Sequence, residues 1–152
     1  MTNEEIKLVA DFSEGFAKLG LRHFKASEFL NLGGSNSSGS CKGLNTLPPR
    51  STWKKIYAVA RVVDEIRQQA GAPISTLSIY RSPAYNSCVG GASQSQHMLG
   101  AACDFQSAQL SAQQLYDIAI ELRRKGFFSG GLGLYNSFVH VDVRGSNATW
   151  RG

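Results

Sequence analysis

Residues 138–144, Phe-Val-His-Val-Asp-Val-Arg, alternate without a break between valine and a second, chemically active set of side chains. Neighbouring side chains of a strand point to opposite faces, so the run predicts a strand with Val139, Val141 and Val143 on one side. Phe138, His140, Asp142 and Arg144 then share the other. A helix would scatter both sets around its axis, so the segment calls for a sheet with one apolar face. An ordinary solvated face on an antiparallel sheet would carry the same kinds of residue. The rest of the chain has to decide what the second face is for.

The remaining elements follow from periodicity and punctuation. Thr2 and Glu5 form a capping box for an amphipathic helix over 3–19, with Ile6, Val9, Phe12, Phe16 and Leu19 on its apolar side. Residues 31–45 are rich in Gly, Ser and Asn and read as a long mobile loop, closed by Pro48-Pro49. From Ser51, Trp53, Ile56, Tyr57, Ala60, Val63 and Ile66 recur at helical spacing until Gly71 and Pro73. Residues 74–80 alternate as a strand, and a short helix is expected after Pro83. A second short strand is expected at 102–105, and Ser111 with Gln114 opens a helix running to Gly126. A hairpin from 130–135 and 138–144 completes the order. This is an α+β chain with a small, largely antiparallel sheet and helices packed on one side. The 152 residues divide into an N-terminal helical arm, 1–22, and a single domain, 23–152.

Several classes are excluded. Every apolar run is broken within a few residues, so no transmembrane segment is expected. The first residues carry acids rather than a basic n-region and an apolar h-region, so no secretory signal is expected in this chain. A net charge of +5 fits either a plain basic surface or an anionic partner, and no block of five basic residues exists. Nucleic-acid binding is therefore not expected. The three cysteines, Cys41, Cys88 and Cys103, allow one disulfide, such as Cys41 to Cys88, but their spacing does not select it.

Of three histidines, His97 and His140 stand in unusual company, while His23 reads as a surface residue. In Ala102-Cys103-Asp104-Phe105 the alternation sends Cys103 and Phe105 inward and Asp104 to the other face. Gly100 permits a turn that carries His97 back over that strand. His97, Asp104 and His140 thus form a three-ligand set, the number with which catalytic zinc is held while a fourth position stays open. Cys103 is a buried small hydrophobe on this reading, not a ligand.

The string Ser95-x-His97-x-x-Gly100-x-Ala102-x-Asp104 has further motifs on either side. Tyr80-Arg81-Ser82-Pro83 lies upstream, and Gly-Leu-Gly-x-Tyr135 with Phe-Val-His140-Val-Asp142 lies downstream. Together they resemble the zinc D-alanyl-D-alanine carboxypeptidase family, which includes phage L-alanyl-D-glutamate endolysins and is structurally related to the hedgehog signalling domain. The resemblance spans about residues 24 to 145. It implies zinc on His97, Asp104 and His140, and Arg81 as the group that polarises the scissile carbonyl or steadies the oxyanion. Ser95 and Tyr135 are the candidate substrate contacts. Many members carry an acid three positions before the last histidine, or a histidine two before it; Ser137 and Phe138 stand there. Asp142, roughly 6–7 Å along the strand from His140, is left either as the general base or as a support that orients His140 or Arg81.

The expected protein is thus a zinc peptidase of the DD-carboxypeptidase or endopeptidase type, acting as a monomer on the peptidoglycan stem peptide at the cell wall. A phage lysin fits the same description. The alternative is a degenerate module that keeps the metal but binds cell wall or a protein without turnover.

Overall fold

The computed structural model describes residues 1–152. Helix α1, Asn3–Ala17, begins at the expected capping box, Thr2 and Glu5 each accepting the other's backbone N–H. Its Phe12 and Phe16 are buried and pack on Phe29, Trp53 and Tyr57. One-turn helix α2, Gly34–Ser37, lies inside the stretch read as a mobile loop. That stretch is instead fastened at several points. Cys41 is bonded to Cys88, Asn45 donates to the carbonyls of Leu32 and Tyr80, and its Oδ1 accepts the Ser82 N–H. Its polar composition serves to satisfy loop backbone groups from side chains, which composition alone does not distinguish from mobility.

Helix α3, Trp53–Ala70, stops at Gly71, whose φ of 63° supplies the left-handed cap. Strand β1 is Ser75–Ser78, and α4, Pro83–Cys88, is capped by Ser82. Strand β2 is Ala102–Gln106, and α5, Ala112–Arg124, starts at the Ser111–Gln114 capping box. Strands β3, Gly131–Leu134, and β4, Val139–Asp142, form the expected hairpin. A fifth strand, β5, Ala148–Arg151, was not expected. The sheet order is β1-β2-β4-β3-β5, antiparallel throughout except for the parallel β3–β5 edge.

The fold is α+β. Helices α3 and α5 cover one face of the sheet, where Val139 and Val141 are fully buried with Ile56, Val63, Phe105, Leu115 and Leu132. Each such side chain contributes about 1.5–3 kcal/mol of burial free energy. Cys103 also lies in this core, as its place in the alternation requires. No helix is long and apolar enough to cross a membrane.

Candidate metal centre

The pairing of β2 with β4 sets Asp104 directly opposite His140 on the face away from α3 and α5. His97 comes from a short 3₁₀ turn, Gln96–Leu99, and the chain then reverses at Gly100, φ 72°. A side chain at Gly100 would strike Thr52 and Ile56, so the left-handed turn and the close packing both select glycine. The three groups offer ligand atoms that all lie within 4.8 Å of one another.

Their hydrogen bonds fit a bound cation. His97 Nδ1–H donates to the Ile79 carbonyl at 2.7 Å, which leaves the Nε2 lone pair facing inward. That nitrogen is buried, has no hydrogen-bond partner, and stands 3.2 Å from Asp104 Oδ2. Burial holds the His97 imidazole below its ordinary pKa, overriding the attraction of Asp104. A neutral lone pair aimed at a carboxylate is repulsive unless a cation lies between them. The set of two imidazoles and a carboxylate suits zinc and related divalent metals.

His140 lies between two carboxylates, with Nδ1 2.9 Å from Asp104 and Nε2 2.8 Å from Asp142. Burial disfavours its charged form, but the hydrogen bonds to Asp104 and Asp142 outweigh that and raise its pKa. For Asp104, burial favours the neutral acid, and the adjacent His97 and His140 outweigh it, so the carboxyl ionises far below its usual range.

Asp142 is wholly buried behind His140. Its Oδ1 accepts from the Gly131 N–H and from Arg144 Nε, and its Oδ2 accepts from His140 Nε2 and Arg144 Nη2. Burial would raise its pKa, yet these donors hold it well below the ordinary carboxylate range. With the Arg144 backbone N–H, which also donates to Oδ1, five bonds fill both oxygens.

The three candidate ligands open onto a cleft of about 430 Å³. Arg81 lines one side, fixed by bonds from Nε to Ser78, Nη1 to Asn86 and Nη2 to Asp104. Ser95 lines the same rim, where its Oγ accepts the His97 N–H at 3.2 Å. On the opposite wall Tyr135 stacks on Phe138, ring centroids 4.4 Å apart. Asp104 is the one carboxylate among the lining residues. Glu28 accepts the Lys25 N–H away from the cleft, and His23 pairs with Gln68.

Two participants lay outside the sequence reading. Asn86 steadies Arg81, and its amide also donates to the Ala92 carbonyl. Trp150, on the unexpected β5, completes the cleft wall with its ring 5.1 Å from that of His140. A signal for it existed in Gly131-Leu-Gly133. Leu132 points to the core opposite Val141, while Gly133 pairs with His140 on the site face. Glycines alternating with a core leucine leave space for something large, and Trp150 lies over Gly131 and Gly133.

No curated protein sequence matches the chain. A family model described as Peptidase M15 matches residues 22–142, which hold the whole His-Asp-His group together with Arg81 and Asp142. With that match over most of its length, and a donor set of the kind a metal-dependent peptidase needs, the chain belongs to the peptidase M15 family.

Proposed function

We propose that the protein is a zinc-dependent murein peptidase that hydrolyses the peptidoglycan stem peptide at the cell wall, as a monomer. The observation that carries this reading is the unpartnered His97 Nε2, buried and aimed at Asp104, with His140 completing the triangle at the floor of an open cleft. When bound, zinc supplies Lewis-acid activation of the carbonyl and of water. Arg81 is placed to orient the scissile carbonyl and to stabilise negative charge developing on its oxygen. Ser95 holds the His97 turn, and Tyr135 with Phe138 offers an aromatic wall to the peptide. Asp142 acts through His140 as a positioning residue, because its oxygens are engaged and none faces the cleft. A lysin released onto the wall by a phage suits the positive net charge of +5, since the wall is anionic.

Purified murein is the substrate to test, with chelation followed by zinc restoration and mass spectrometry of the released peptides. Metal-dependent cleavage of the stem peptide is the expected result, and the product masses identify the bond. Absence of any metal-dependent cleavage would sink the reading. It would then favour a module that binds metal and wall without turnover, which is motivated by the lack of any lining carboxylate besides Asp104.

A further inference from the structure

Arg144 is the one charged residue of the cleft to which nothing above gives a task toward the substrate. Its guanidinium is held on two sides. Nε and Nη2 donate to the two oxygens of Asp142, at 2.9 and 2.7 Å, in the bidentate geometry that fixes a guanidinium plane. Its central carbon lies 5.2 Å from the Trp150 ring centre, and Trp150 is itself fixed by donating Nε1–H to the Tyr135 hydroxyl at 3.0 Å. A side chain at Gly131 would strike both Asp142 and the Arg144 Nη2, so the sheet leaves room for this clamp.

What remains free is the outer edge. Nη1 has no partner in the chain, whereas all three guanidinium nitrogens of Arg81 have one. The side chain keeps 30% of its exposure and lines the cleft. Asp142 Oδ2 accepts from both His140 Nε2 and Arg144 Nη2, so the guanidinium sits one carboxylate away from the metal-binding imidazole. The charges of Arg81 and Arg144 cancel those of Asp104 and Asp142, and a bound divalent cation leaves the cleft positive.

We propose that Arg144 is a specificity-determining residue, its clamped guanidinium taking a carboxylate of the peptide beside the scissile bond. This rests on the murein-peptidase reading of the same cleft. A stem peptide has two sources of such a group, its C-terminus and the free carboxylate of its D-glutamyl residue. A pre-set guanidinium loses little freedom on binding, so the bond discriminates strongly between a carboxylate and a neutral amide.

Isothermal titration tests this with the zinc-loaded protein and three peptides. These are L-Ala-γ-D-Glu-L-Lys-D-Ala-D-Ala, its C-terminal amide, and its form with D-isoglutamine in place of D-glutamate. A charge-assisted hydrogen bond predicts that one of the two neutralised peptides binds about ten- to a hundredfold more weakly, and which one identifies the carboxylate. Arg144→Gln should bring that ratio close to one, and Arg144→Lys should leave a reduced preference. A merely structural role would weaken all three peptides alike and keep the ratio. The proposal is overturned if wild type shows no preference, if none of the peptides binds, or if Arg144→Gln keeps the preference, which would assign the carboxylate to Arg81. Zinc-dependent digestion of whole murein, measured beside these titrations, reports on the peptidase reading separately.

Discussion

His140 and Asp142, two residues apart on one face of β4, are joined by a 2.8 Å hydrogen bond from imidazole Nε2 to carboxylate Oδ2. The bond leaves Nδ1 as the nitrogen directed to Asp104, free to serve as a ligand were a metal bound. Asp142→Asn keeps the shape but loses the charge that orients the ring. Zinc affinity should fall by about 10–100-fold, the usual cost of disturbing such a partner, and activity should return as zinc is raised. Competition with a chromophoric chelator measures this. Normal zinc affinity with a kcat lowered by ~10²–10⁴ would instead make Asp142 the base.

Removing His97, Asp104 or His140 leaves two of the three candidate ligands. Alanine at any of them should abolish stoichiometric zinc, read by elemental analysis of dialysed protein. In wild type, zinc at a hundred times its Kd should stabilise the fold by about 2.7 kcal/mol, so a chelator should lower Tm. The three variants should show no such shift.

Arg81→Ala should retain zinc, because Arg81 contributes no ligand atom to the triangle. Its kcat/KM on stem peptide should drop by ~10²–10³, the usual effect of losing a preorganised donor to a developing oxyanion. Asn86→Ala, which frees the Arg81 Nη1 without removing the charge, should lower the same quantity by less. Equal activity of Arg81→Ala and wild type would exclude the assignment.

Cys41 and Cys88 close a loop with a sequence separation of 47, so reducing the bond should cost roughly 4 kcal/mol by the chain-entropy relation. For a domain of this size that is about 10 °C in Tm, measured by calorimetry with and without reductant. Cys88 is exposed and open to the reductant, while Cys103 is fully buried and should stay unmodified. Zinc content should survive, since the ligands lie on other segments.

Gly133→Ala would drive a methyl group into the Trp150 indole. Strand β5 should then detach from β3, seen as faster hydrogen exchange at residues 148–151 and a red-shifted tryptophan emission. Protection equal to wild type at those amides would refute the packing role of Gly133.

The alternation Val139-His140-Val141-Asp142 made the central strand, its core face and the position of His140 legible, because period two in a sheet permits one arrangement. Both capping boxes were equally readable, being local hydrogen-bond chemistry. What stayed hidden was non-local. Nothing in Asn147-Ala-Thr-Trp-Arg151 alternates enough to announce a strand, and its partner is a parallel edge reached from across the hairpin. The alternation in β4 leaves Asp142 between general base and support of His140, and only the structure shows it fully buried behind the ring. The 31–45 segment misled for a related reason, since Asn31 and Asn45 spend their side chains on distant backbone groups.

Asp104 and His140 are opposed across β2 and β4, and each of these strands has a further neighbour on its outer side. The two ligands cannot separate without tearing the sheet along its middle. A metal arriving at the folded protein therefore meets Asp104 and His140 already set side by side by the sheet. Protein stripped of metal should then recover activity when zinc is returned, without a cycle of unfolding and refolding.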